Sequence, residues 1–468
     1  MDTADQTTAE EAPAEVTNRK QPFPRGFLDT ISTGWAERPE SLPAAPRAQA
    51  PYAAARRAKV STAFPGKRLV IPAGSLKQRS NDTDYPFRAH SAFAHLTGWA
   101  SDAEPDSVLV FDPTDAGHDV TLYFRERADR TTSEFYSDAT IGEFWIGPRP
   151  SLAGVAADLG LATAHLDDFE ASDEDLTLDA DEELTRFVSE LRLVKDDYEI
   201  AELRHAVEVT ARGFDDIVRA LPDAVAHSRG ERVVEGVFHR RAREDGNGEG
   251  YDTISASGPH ACYLHWTRND GAVLPGDLIL VDAGVEADSL YTADITRTLP
   301  VTGTFTEVQR RVYETVREAA DAAFAAARPG VKFRAVHEAA MEVIAARTAE
   351  WGLLPVTAAE ALDADQGGQH RRYMVHGTSH HLGIDVHDCA QARREMYYDG
   401  ILQPGMVFTI EPGLYFQIDD LTVPEEYRGI GVRIEDDILM TEEGPVNLSA
   451  DIPRTADEVE AWIARLQG

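Results

Sequence analysis

The chain has 468 residues, 81 acidic against 45 basic, and a formal charge of −36. With 43% hydrophobic and 27% charged residues it has the make-up of a globular protein, with room for roughly two to four domains, and not of a disordered chain. The acidity repels phosphate backbones and anionic lipid surfaces, which excludes nucleic acid and membranes as default partners.

Cys262 and Cys389 are the only cysteines and fit neither a disulfide framework nor a C-x-x-C pair. The N-terminal stretch MDTADQTTAEEAPAE is acidic and has no apolar signal region, so a cytoplasmic location is expected. No apolar window reaches the ~18 residues of a membrane span.

Residues 1–50, rich in Ala, Pro, Glu and Thr, read as a tail or arm, poorly ordered unless docked. Residues 51–190 read as a smaller α/β domain, with strands expected at Arg68–Pro72, Ser107–Phe111 and Val120–Phe124. The acidic stretch from Asp167 to Glu183 reads as a solvated loop near a boundary. Residues 191–468 read as the second domain. A helix opens at Asp196-Asp197 and buries Ile200, Leu203, Val207, Phe214, Ile217 and Leu221. Gly246–Gly250 reads as a surface turn, since no phosphate-loop lysine follows it. A capping box at Thr306 and Gln309 opens a helix that ends at Pro329-Gly330, and another is expected from Arg334 to Glu350. Strands are expected at Leu278–Gly284, Asp294–Leu299, Met406–Glu411 and Gly431–Glu435. Helices and strands do not alternate strictly, so the class is α+β. His337-Glu338 lacks the second zincin histidine, position 341 being Met, and no G-x-S-x-G elbow exists.

Four acids stand where burial is expensive. Asp282 ends the apolar run Leu278-Ile-Leu-Val, where an ionised carboxylate needs a cation, strong hydrogen bonds or a metal. Asp294 opens a second strand twelve residues later. Glu411 follows the run Phe408-Thr-Ile, and strand period 2 puts Arg433 and Glu435 on one face. One such acid reads as an ion pair; four on separate strands point to a shared centre. His376, His380, His381 and His387 fall within twelve positions, and His265 lies in Tyr263-Leu-His-Trp-Thr267. Not all five can be ligands. Carboxylates with an imidazole are a hard donor set suited to Mn²⁺, Co²⁺, Fe²⁺ or Zn²⁺. Four carboxylates balance two divalent ions, which points to two-metal hydrolysis.

The ordered set Asp282, Asp294, His380, Glu411 and Glu435, within DAG, DITRT, HGTSHHLGIDVHD, TIEPGLYF and YRGIGVRIEDD, resembles the pita-bread metallopeptidases and, among them, the aminopeptidase P family. The resemblance runs from about Leu191 to the C-terminus. Arg79–Arg88, ending Tyr-Pro-Phe-Arg, with Leu96-Thr-Gly98 is similar to that family's N-terminal domain. It implies a C-terminal pita-bread catalytic domain behind a smaller α/β domain, and two divalent metal ions, expected to be Mn²⁺. Metal one would be held by Asp294, His380, Glu411 and Glu435, and metal two by Asp282, Asp294 and Glu435. Glu411 would accept the proton, His265 and His387 would bind substrate, and His376 would support them. Tyr415 and Arg433 would orient the metal-two carboxylate. Thr378 and His381 occupy variable positions of the histidine motif and are expected to line the pocket. The implied substrates are peptides with proline second, and the implied assembly is a homodimer or homotetramer. Prolidase shares the ligands and cuts dipeptides; methionine aminopeptidase has no use for the long N-terminal domain. Non-catalytic relatives of the fold have lost ligands that are all present here.

Overall fold

A computed structural model describes residues 23–468. Of the expected arm, residues 1–22 lie outside that range. The remainder docks on the N-terminal domain, because its arginines find acids there: Arg38 pairs with Glu143 at 2.9 Å and Arg47 joins Asp102 and Asp158.

The N-terminal domain is built on a five-stranded sheet. Its strands are β1 (Leu69–Pro72), β2 (Val108–Thr114), β3 (Gly117–Phe124), β4 (Ala162–His165) and β5 (Leu176–Thr177), in spatial order β4-β3-β2-β1-β5. Leu69, Ile71, Leu109, Phe111, Leu122 and Phe124 fill its core with Phe93, Leu96 and Trp99. The acidic stretch after Asp167 is not all loop. Arg68 bonds both Asp112 (2.7 Å) and Asp175 (2.9 Å), and that neutralisation lets β5 join the sheet edge.

The first long helix beyond the N-terminal sheet opens at a capping box. The Asp196 carboxylate accepts from Glu199 N, and the Glu199 carboxylate accepts from Asp196 N. The helix so started runs Asp197–Ala226 and packs against Gly230–Asp245. Helices Glu307–Ala326 and Arg334–Glu350 form a second pair. Between the pairs lie β6 (Ile254–Ser257), β7 (Leu278–Ala283) and β8 (Ile295–Pro300), in the order β8-β7-β6. Every residue of β7 and β8 is buried, which explains their continuous apolar reading. Register pairs Asp282 with Thr296 and Ala283 with Ile295. Gly284 is required by close approach: a side-chain carbon there would lie 1.6 Å from the Ala293 carbonyl oxygen.

The remaining strands are β9 (Val407–Ile410), β10 (Gly413–Tyr415), β11 (Gly431–Arg433), β12 (Asp436–Met440) and β13 (Pro445–Asn447). The single strand expected over Gly431–Glu435 is two. β11 pairs with β10, β12 pairs with β9, and the chain changes partners at Ile434-Glu435. Gly246–Gly250 is not a free surface turn either. Gly248–Glu249 pairs with Val285–Glu286, because Gly250 N donates to Gly284 O and leaves no room for a side chain beside Thr292.

The domains meet along a polar seam over a small apolar cluster of Ala94, Ala100, Leu203, Tyr291, Leu382 and Ile384. Arg88 donates to Glu286 (2.6 Å) and to the Ile384 carbonyl (2.7 Å), and Ser91 Oγ donates to Asp385 (2.5 Å). From the connecting segment, Arg192 and Lys195 reach Asp388 at 2.8 and 3.2 Å.

Candidate active site

A cavity of about 630 Å³ opens where β7, β8, β10 and β11 meet the 376–387 segment. Its walls include Asp282, Asp294, His265, His376, His380, His387, Glu411, Arg433 and Glu435. Tyr415 is not in the wall; it lies behind it, bonded to His376 and Arg433. All ten expected site residues are therefore brought to one place. Thr378 and His381 are not in the wall, contrary to expectation. Thr378 is buried and bonds His337, while His381 is buried against Phe333 and Tyr397, because the 376–387 chain turns these side chains inward.

Atoms of Asp294, His380 and Glu435 lie within 4.8 Å of one another, close enough to share one ion. His380 Nε2 is 3.2 Å from Asp294 Oδ2 and 3.8 Å from Glu411 Oε1. The ring is oriented by its other nitrogen, since Nδ1 lies 3.1 Å from the His381 carbonyl and donates to it. On the far side Arg433 Nη2 donates to Asp282 Oδ2 at 2.5 Å and Nε donates to Thr296. Thr296 Oγ1 in turn donates to Glu435 Oε2 at 2.7 Å. The fully buried Arg297 holds the Glu435 carbonyl at 2.6 Å and so fixes the break between β11 and β12.

Electrostatics set these groups apart. Burial, then repulsion from Asp294, raises the Glu435 carboxyl well above the carboxylate range. Burial lifts Glu411 to about 7 against the opposing pull of His380. Burial would lower His380, but its bond to Asp294 and the charges of Asp294 and Glu411 together outweigh this and raise it to about 9. Burial, helped by the Arg433 charge, lowers His376 to about 3 and keeps it neutral. Its Nδ1 lies 2.6 Å from the Gly377 carbonyl and donates there, so Nε2 accepts from Tyr415 O–H at 2.8 Å. Tyr415 O accepts from Arg433 at 3.1 Å.

Tyr251 carries no signal in the sequence that marks it as part of this site. Its hydroxyl lies 2.6 Å from Asp282 Oδ1 and 2.5 Å from Asp294 Oδ1. Burial and those two acids raise its pKa well above the usual phenol value, so it remains a donor to the pair. Ser379, Val386 and Tyr397 also line the wall.

Residues 201–442 match the model of metallopeptidase family M24, and residues 53–183 match the aminopeptidase P N-terminal domain. The chain belongs to metallopeptidase family M24. Among M24 relatives it is 50% identical to Xaa-Pro aminopeptidase 1 of Streptomyces coelicolor, with 98% of this chain and 97% of the relative covered. It is 53% identical to Xaa-Pro aminopeptidase 2 of the same organism, over 94% and 96%. A solved variant of Escherichia coli aminopeptidase P in complex with substrate is 30% identical, with a TM-score of 0.76, over 90% of this chain and all of that one. The α+β architecture and the order of a smaller domain before the M24 domain are thereby shared with aminopeptidase P.

Proposed function

We propose that this chain is a two-metal aminopeptidase that hydrolyses the N-terminal Xaa-Pro bond of peptides. The observation that carries the reading is the convergence of Asp282, Asp294, His380, Glu411 and Glu435 on one open cavity. Near-full-length identity to proteins named Xaa-Pro aminopeptidase supports the substrate class. One metal is assigned to Asp294, His380, Glu411 and Glu435, and the second to Asp282, Asp294 and Glu435. The donors fit such ions: they are carboxylate oxygens and one imidazole, without sulfur. Buried acids crowd there beyond what Arg433 alone can neutralise. Mn²⁺ is the expected ion. When bound, two divalent ions would polarise the scissile carbonyl and lower the pKa of the attacking water.

The chain's own residues do the rest. Glu411 takes the proton of the attacking water as general base. His265 and His387 bind the substrate and donate to the oxygen that gains charge. His376, tethered by Tyr415, supports them. Arg433 and Tyr251 hold Asp282 in one orientation, on the side where the peptide's free amine belongs. Proline after the scissile bond has no N–H and a fixed φ, so its ring shape is what the wall selects. The reading includes a homodimer or homotetramer joined through the N-terminal domain, testable by sedimentation, and a cytoplasmic location, testable by fractionation.

A peptide panel assayed with Mn²⁺ tests the function. Xaa-Pro-Yaa tripeptides and longer peptides are expected to be cut in preference to Xaa-Pro dipeptides, with little cleavage of Xaa-Ala-Yaa. A prolidase must pair the dipeptide carboxylate, so cleavage confined to dipeptides would identify that activity instead. Efficient cleavage of Met-Ala-Yaa would identify a methionine aminopeptidase.

A further inference from the structure

His265 is exposed on the cavity wall, and among the described residues its only hydrogen bond runs from Thr267 N to its carbonyl, 3.0 Å. The place of its ring is therefore set by the chain on either side. Both flanks converge on Glu231, at the second position of helix Gly230–Asp245, a residue with 0% exposure. Glu231 Oε1 accepts from Ser257 N (2.9 Å) and from His260 Nδ1 (2.7 Å). Oε2 accepts from Trp266 Nε1 (2.9 Å) and from Gly271 N (2.7 Å). Glu231 N donates back to the Gly271 carbonyl at 3.2 Å.

Trp266 follows His265 directly. Its ring stacks on His260 with centroids 3.9 Å apart, and the Arg268 guanidinium lies 4.2 Å from it. Asn269 ties down the next residues: Oδ1 accepts from Ser255 N and Nδ2 donates to the Thr253 carbonyl. At Gly271 a side-chain carbon would come within 2.8 Å of Glu231 Oε2, so the loop closes on the carboxylate without space to spare.

We infer that Glu231 is a positioning residue, whose carboxylate seats the 257–271 loop and through it the His265 imidazole against the substrate. The inference rests on the reading of His265 as a substrate-binding group. Glu231 is absent from the cavity wall and touches no reacting atom. Four donors converge on two oxygens, which an acceptor-only carboxylate satisfies; glutamine has one oxygen and would turn its NH₂ against two of the donors. A merely structural role would lower stability and leave kcat and KM unmoved.

The test compares Glu231→Gln, His265→Ala and the double variant in the full chain with Mn²⁺. It measures kcat and KM on an Xaa-Pro-Yaa peptide, bound metal and the thermal midpoint. Glu231→Gln is expected to lower kcat/KM about 10- to 100-fold, as misplacement of a positioned group does, with metal content unchanged. In the His265→Ala background the same substitution is expected to change kcat/KM less than about twofold, because its effect runs through that ring. Equal losses in both backgrounds, or loss of metal, would overturn the proposal. Should Glu231→Gln not fold, Trp266→Phe removes one of the four donors. It is expected to cost about threefold to tenfold in kcat/KM, again only when His265 is present. If His265→Ala alone leaves kcat/KM unchanged, the reading of His265 falls and takes this inference with it. Additive losses beside an impaired His265→Ala overturn the role of Glu231 alone.

Discussion

His380 and His387 stand with ring centroids 4.4 Å apart, yet their surroundings differ. His380 Nε2 meets Asp294 and Glu411, whereas burial, with the His380 charge behind it, lowers the His387 pKa and leaves that ring neutral. Asp294→Asn is accordingly expected to abolish turnover and most bound metal, while His387→Ala retains two metals and loses rate. Metal analysis beside turnover checks both; loss of one metal equivalent in His387→Ala would make His387 a ligand. The acids of this site were legible because an ionised group inside an apolar run must be met there by a cation, a metal or strong hydrogen bonds. Tyr251 was not. Its partners lie 31 and 43 residues along the chain, and a tyrosine after a glycine-rich segment carries no sign of them. Glu231 escaped notice for the same reason, since its four donors come from a loop 26 to 40 residues away.

Local chemistry fixes where the helices begin. Asp196 with Glu199, Thr306 with Gln309 and Thr455 with Glu458 each form a reciprocal capping box. The first two helix starts were readable from sequence, because a cap acts between residues three apart. Thr306→Ala leaves Gln309 N without its acceptor and is expected to lower stability by about 1 kcal/mol, read as a shifted urea midpoint with unchanged slope. Strand ends are another matter. The break at Ile434-Glu435 depends on β11 and β12 choosing different partners, and Arg297 holds the Glu435 carbonyl from β8. A pairing choice of that kind is tertiary, and alternation along one segment cannot register it.

At the scale of the whole molecule, Asp388 ties the connecting segment to the catalytic domain. Burial would push its carboxyl up, but Arg192 and Lys195 outweigh this and hold it at about 2, below the ordinary 3.8. A depressed folded-state pKa means that the unfolded chain binds the extra proton. The stabilisation is therefore present above about pH 4 and is lost as pH falls toward 2. The shift corresponds to on the order of 2 kcal/mol. Asp388→Asn is expected to destabilise the protein at neutral pH, because it leaves Lys195 buried without its counter-charge and Arg192 with Asp385 alone. It is also expected to flatten the decline in urea midpoint between about pH 4 and pH 2. An acid decline as steep as that of the parent chain would place the titrating group elsewhere.

The seam also limits how the molecule can be divided. The grips on the 384–388 turn by Arg88, Ser91, Arg192 and Lys195 all come from ahead of the catalytic helices. A fragment beginning at Asp197 would keep every proposed metal ligand and still present His387 on a turn stripped of its outer clamps. The two domains therefore share one clasp, and a graft of either half onto a stranger is expected to need the matching half of it.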